Sequence, residues 1–333
     1  MILRRHRSAT GAARRQRISD DAADEQTGGG SDGGHVALVG RARLRHKPGV
    51  AVPQIFDRAR RRLRRDRAAR RFPAHRFLID HIEDELIDRL DAVRRDFTRA
   101  LVIGAHDGRL PDLLRAKGMA VDALDAGPAF AASNGTTPVE EDALGGGVAS
   151  YDLVLSAGVL DQVADLPGAL IQIRRALAPD GLFLGGFVGA GSLPRLRTAM
   201  AAADALAGAA AARIHPQIDV RTAGDLLGRA GFALQVADGL PLDVRYPSLT
   251  GLIADLRGMG ATNLLAGPVH PLPRDGYAAA AASFAAAADA DGRTTERFEL
   301  VFLTGWSPAE SQPKPARRGS ATTSLTDVLK AKV

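Results

Sequence analysis

The chain has no cysteine, which excludes disulfides, thiolate metal sites and cysteine nucleophiles at once. Aromatic residues make up only 5% of it, and none falls within the dense basic run Arg58 to Arg71, RARRRLRRDRAARR. Single-stranded nucleic acid is held on stacked rings between cations, so a run without rings predicts no nucleic-acid partner. No apolar stretch reaches the roughly 20 residues that cross a bilayer, and no transmembrane segment is expected. The opening MILRRHRSATGAARRQR lacks the apolar centre of a secretory signal. With the missing cysteines, that fits a cytoplasmic protein.

What is present is enough for one large core. The 333 residues are 45% hydrophobic with a formal net charge of +6, the balance of a globular protein with an insertion and loose ends. The basic run suits an anionic membrane or an acidic protein partner, and it equally suits a helix that is merely solvated. Residues 1–50, with GGGSDGG, read as a disordered leader. Residues 51–95 hold the basic run and an amphipathic helix, with Leu78, Ile82, Leu86, Leu90 and Val93 on one stripe.

From 96 to 306 short apolar runs alternate with helical segments. Strands are predicted at Ala100–Ile103, Ala120–Leu124, Leu153–Ser156, Leu182–Phe187, Ala233–Val236 and Phe298–Leu303, and helices at Leu110–Lys117 and Leu166–Leu177. That alternation predicts a Rossmann-like, doubly wound α/β domain with helices on both faces of a mostly parallel sheet. Two alanine-rich tracts, Ala199–Ala212 and Ala278–Ala290, add helices within an insertion around 190–295. The remainder, 307–333, reads as a polar tail.

Three features carry chemistry. The first strand runs into Gly104-Ala105-His106-Asp107-Gly108, a glycine turn that brings backbone amides close to a polar ligand. The second strand ends at Asp125, placed for a carboxylate that accepts from both ribose hydroxyls. The third is Glu140-Glu141-Asp142-Ala143-Leu144, where Asp142 would accept from a purine amino group while Ala143 lies against the ring. Ser156, ending the third strand, completes the set. Each alone is also read as a tight turn or a solvated acid. In order, at the carboxyl ends of successive strands, they describe a nucleoside cradle.

The stretch Phe77 to Leu193 resembles a class I methyltransferase domain, close to the biotin-synthesis type that methylates malonyl-acyl carrier protein. Further segments resemble the methyltransferase-like assembly factors of respiratory complex I. They include Ile55-Phe56-Asp57-Arg58, Ala223-Gly224-Asp225-Leu226-Leu227, Asp255-Leu256-Arg257-Gly258-Met259-Gly260-Ala261-Thr262-Asn263 and Arg318-Gly319-Ser320-Ala321. The resemblance implies a seven-stranded sheet with Phe298–Leu303 as its antiparallel edge strand. It also implies S-adenosyl-L-methionine as cofactor, and a protein or carrier-bound substrate, a complex I subunit among them. Mitochondrial members are assigned hydroxylation of an arginine on a partner subunit. Three positions depart from the pattern: Val102 stands where an acid is usual, His106 where glycine is usual, and Leu160-Asp161-Gln162 where relatives have Leu-His-Trp.

Asp161, in the stretch that follows Ser156, is the candidate catalytic residue on the acceptor side, and a plain surface-loop acid explains it at least as well. On the substrate side, Asp219, Arg221, Arg245 and Tyr246 offer charge and a ring, and mutual ion pairing explains them equally. His81-Ile82-Glu83 lacks a third ligand, and no metal site is expected. Two other readings stand beside the enzyme: a non-catalytic assembly factor that keeps the fold, and a nicotinamide-dependent oxidoreductase. The incomplete G-x-G-x-x-G spacing disfavours the last.

Overall fold

The computed structural model describes residues 54–145, 147–208, 210–313 and 320. The leader at 1–50 and the tail residues 318, 319 and 321 lie outside the described residues. In chain order the elements are α1 (Arg58–Ala69), α2 (Phe72–His75), α3 (Phe77–Asp91), β1 (Arg99–Ile103), α4 (Arg109–Ala116), β2 (Ala120–Leu124), α5 (Pro128–Ser133), β3 (Tyr151–Ala157), α6 (Leu166–Ala176) and β4 (Leu177–Val188). They continue with α7 (Pro194–Ala207), α8 (Val220–Ala230), β5 (Ala233–Tyr246), α9 (Leu249–Gly258), α10 (Arg274–Ala285) and β6 (Thr294–Trp306).

The sheet has six strands in the order β2-β1-β3-β4-β6-β5. β1 pairs in parallel with β2 and β3, and β3 with β4. The antiparallel strand expected at Phe298–Leu303 is present as the longer β6, but it lies between β4 and β5, one place in from the edge. Among the described residues the count is six rather than seven. Beyond β2 the chain passes as coil through Thr136-Thr137-Pro138, tied by one hydrogen bond of 3.0 Å from the Val139 amide to the Asp125 carbonyl. Pro138 has no N–H to give a ladder there.

Side chains alternate between the two faces, as a strand period of two requires. Val102, Leu153 and Leu155 enter one core, with the α3 residues Leu78, Ile82, Leu86 and Leu90. Leu101, Ile103 and Val154 enter the other, with Leu166, Leu170 and Ile173 of α6. Both faces are therefore covered. The predicted α3 stripe thus packs on the sheet, while Asp165 caps α6 by accepting from the Gly168 amide at 2.9 Å. Parallel register aligns Ile103 with both Leu124 and Ser156. The turns that follow these three residues consequently meet at one carboxyl edge, where open α/β sheets carry their sites.

Candidate functional site

At that edge Gly104 and Gly108 have φ of +79° and +95°, a backbone that side chains rarely adopt. A Cβ on Gly104 would stand 2.7 Å from Val159 Cγ1 and 2.8 Å from the Ala157 carbonyl oxygen. The close approach that requires glycine is made by the chain itself. Gly108 caps α4, and Ala105 is buried beside the turn.

His106 also has positive φ, at 48°, which costs a non-glycine residue roughly 1–2 kcal/mol. Its buried ring offsets that strain, stacking on Phe72 at 5.0 Å with an interplanar angle of 5°. Nε2 lies 3.0 Å from the Ala157 carbonyl oxygen, and Nδ1 lies 3.3 Å from an Arg65 nitrogen. Arg65 can only donate, so Nδ1 accepts and Nε2–H donates: the ring is neutral. Burial, reinforced by the Arg65 charge, lowers its pKa to about 4. The imidazole plugs the turn where a ligand's polar end was expected.

Asp125 stays inside the cradle, 1% exposed. Arg65 grips it with two nitrogens, Nε to Oδ1 at 3.0 Å and NH2 to Oδ2 at 2.5 Å. The amides of His106 and Gly127 donate to the same carboxylate at 3.1 and 2.7 Å. Burial works to raise its pKa, but the Arg65 charge and these donors prevail and hold it below the usual range. No lone pair is left for a ribose.

The third feature is filled likewise. Arg58 donates to Asp142 Oδ2 at 2.6 Å, and Arg61 reaches both oxygens of Glu141 at 2.7 Å and Glu140 at 3.3 Å. Gln172 clamps the loop, accepting from the Leu144 amide and donating to the Asp142 carbonyl. Ala143 is exposed. Only about 10 Å³ stays open beside Arg58, Arg61 and these acids, room for about one water. The turns and acids expected of a nucleoside site share one edge, yet S-adenosylmethionine does not fit among them while α1 is in place. Sequence reading missed this pairing because it held the arginines open as a solvated face. Their i, i+3, i+7 spacing was the available signal.

On the far side of His106 lies a cavity of about 230 Å³. Its walls are largely apolar, with Leu78, Ile79, Leu196, Met200, Ile253 and Phe298 among them. Asp161 and Gln162 border it, and among the described residues Asp161 Oδ1 and Gln162 Oε1 are buried without a hydrogen-bond partner. Burial pushes the Asp161 carboxyl up to about 7, since the charges of Arg61 and Arg65 only partly oppose it. Arg213, His215, Gln217 and Asn263 line the cavity from the insertion. Ser156 is fully buried with its hydroxyl unpaired, and it does not border the cavity.

The four substrate-side candidates do not meet there. Asp219 caps α8, accepting from Thr222, and Arg221 is exposed in its first turn. Arg245 pairs with Asp289 and Asp291 at the surface. Tyr246 packs in the core beneath α9. Charge in the sequence marked helix ends and a strand rim here, because ion pairs and caps use the same residue types as binding sites. Val102, where an acid is usual, is wholly buried in the sheet core. Glu83 is engaged by Arg76 and Arg109, and among the described residues no three His, Asp or Glu side chains converge as metal ligands.

Residues 65–235 match a family described as a methyltransferase domain. The chain is 32% identical over 290 residues to "Arginine-hydroxylase NDUFAF5, mitochondrial" of Danio rerio, covering 83% of this chain and 90% of that protein. The human protein of the same name is 33% identical, with 83% and 84% covered. A malonyl-[acyl-carrier protein] O-methyltransferase of Xylella fastidiosa (strain M23) is 29% identical, with 78% and 90% covered. The sheet, the ordered turns at its carboxyl edge and these matches agree: the chain belongs to the S-adenosylmethionine-dependent methyltransferase family, on the branch that includes the NDUFAF5 proteins.

Proposed function

We propose that the chain modifies a protein or carrier-bound group that enters the cavity at Asp161, in the service of respiratory complex I assembly. The observation that carries this reading is the cavity itself: an apolar chamber ending at two unpaired buried acceptors, Asp161 Oδ1 and Gln162 Oε1. Such acceptors orient a donor group of the substrate, because an unmet buried oxygen costs about 1–3 kcal/mol until something bonds to it. Once admitted to the cradle, the cofactor of the family would supply an electrophilic methyl group. Asp161, with a pKa near 7, would take the proton that a neutral acceptor must lose. The likeness to the Danio rerio and human proteins, with the resemblance of residues 255–263 to assembly factors of complex I, supports that setting.

A second reading is favoured by the filled cradle: an assembly factor that keeps the fold, either without chemistry or with the hydroxylation named for its relatives. Mass spectrometry of complex I subunits from cells with and without the gene separates the readings. A gain of one methyl that disappears with Asp161→Asn supports methyl transfer, and a gain of one oxygen supports hydroxylation. Unmodified subunits with poor assembly leave the scaffold. A cytoplasmic site of action belongs to the same proposal, and fractionation of cells carrying the tagged full chain tests it.

A further inference from the structure

The basic helix α1 is seated on the cradle by charge rather than by apolar packing. Of its twelve residues, three are buried: Arg61, Arg65 and Ala68. Ala68 is the sole apolar side chain among them, and Leu63 points outward at 48% exposure. Arg58, Arg61 and Arg65 lie on one face at i, i+3 and i+7, and each meets an acid of the cradle: Asp142, Glu141 with Glu140, and Asp125. Each acid of the cradle is therefore met by this one element; Asp142 Oδ1 alone keeps no partner, and the His106 and Gly127 amides share Asp125 with it. The helix backbone is close as well, since a Cβ on Gly127 would stand 3.0 Å from Arg65 Cβ. Rotating the arginines alone cannot clear the site.

We infer that α1 is a removable cover, an internal stand-in for the cofactor whose displacement sets access to the cradle. The inference rests on reading the cradle as the S-adenosylmethionine site. Its physical basis is that buried ion pairs stabilise little in net terms, because desolvation of both partners offsets most of their attraction. Lifting the unit returns guanidinium and carboxylate groups to water together and exposes little apolar surface: Ala68, the half-buried Ala69 and Phe56. A helix seated on leucines would lose far more. The moving unit is Ile55–Ala69. Beyond its ion pairs it is tied by the Asp57 amide to the Leu264 carbonyl at 2.9 Å, the Ala266 amide to the Ile55 carbonyl at 2.8 Å, the Ala129 amide to Asp66 Oδ1 at 3.0 Å, the Arg60 guanidinium to the Leu265 and Gly267 carbonyls, and Arg65 to His106 Nδ1. Phe56, buried against His215, is its apolar latch. The turn at Arg70-Arg71 is the hinge, because the next residue, Phe72, is locked under His106.

The test is titration calorimetry of the full chain with S-adenosylhomocysteine, combined with hydrogen exchange of the α1 amides. Weak binding by the wild type is expected, with α1 losing protection as ligand saturates. Arg61→Ala/Arg65→Ala removes two seats, and Leu63→Pro breaks the helix at an exposed position without touching the cradle. Both bind at least tenfold tighter, and Arg58→Ala, the mildest change, binds a few-fold tighter. Thermal melts establish that each variant is folded. Three results overturn the inference. Ligand binding with α1 still protected, or variants binding no tighter than the wild type, defeats the cover and leaves the family function standing. No binding by any form at millimolar ligand defeats the cover and the cofactor reading together.

Discussion

One sheet edge carries two chambers of opposite character, with the His106 ring as the partition. The cradle is lined by four acids, and every one of them is paired by an arginine of α1. The cavity beyond has apolar walls, and its two polar ends have no partner. A site whose acids are paired and one whose acceptors are not report different states of readiness. In the first, folding has supplied most of the ligand's hydrogen bonds from within, with Asp142 Oδ1 left over. In the second, it has left them for something else to make.

The comparison breaks most sharply at Asp125. Replacing it with Ala leaves Arg65 charged, buried and unpaired, and a loss of about 3–5 kcal/mol in unfolding free energy is expected in a urea melt. In the wild type the sign with pH follows from the depressed Asp125 pKa. Its stabilisation is fully present above the ordinary carboxyl range and is lost as pH falls through the folded value.

Asp161 behaves in the opposite sense. Its pKa is raised to about 7, so the folded state binds the extra proton. Stability contributed by this group is greatest below the ordinary carboxyl range and declines as pH rises from about 4 through 7. Asp161→Asn, which keeps shape and removes the charge, is expected to flatten that decline by on the order of 2–4 kcal/mol across the window. Midpoints of chemical denaturation from pH 4 to 8 check it. A slope unchanged by the substitution would mean that Asp161 ionises freely and that the cavity is wetter than its walls suggest.

His106→Gly tests the partition. Relief of the left-handed strain is worth roughly 1 kcal/mol, and loss of the buried stacked ring costs more, about 2–3 kcal/mol. A net loss near 1–2 kcal/mol is expected, with the two chambers joined into one. The smallest effect belongs to Arg245→Ala. Its partners are solvent-facing, exposed pairs contribute little, and it borders neither chamber. Unfolding midpoint and ligand binding are both expected to stay at the wild-type values.

Much of the fold was legible because it rests on local periodicity. The period-two runs at Ala120–Leu124 and the helical stripe from Leu78 to Leu90 mark their elements almost to the residue. The place of β6 was less legible. Antiparallel pairing with β4 joins Leu182 to Trp306, and no local pattern carries a contact across that separation. The site shows the same divide. Gly104, Asp125 and Asp142 were found from their order after successive strands. Their present partners, 60 to 84 residues earlier for Arg65 and Arg58, were not, since an arginine reads alike whether it faces water or a buried acid. Nor did the sequence reveal that His106 would be held in a left-handed conformation by Phe72.

The strand order also governs when the domain is able to finish folding. Among the described residues β5 has β6 as its only sheet neighbour, and β6 begins at Thr294, after two further elements, α9 and α10, have left the ribosome. Until then β4 and β5 each present an open hydrogen-bonding edge, the kind of template that recruits strands from other chains. The final strand slots between two already made, like the closing stave of a cask, so early termination near residue 290 would yield an adhesive fragment rather than a shortened domain.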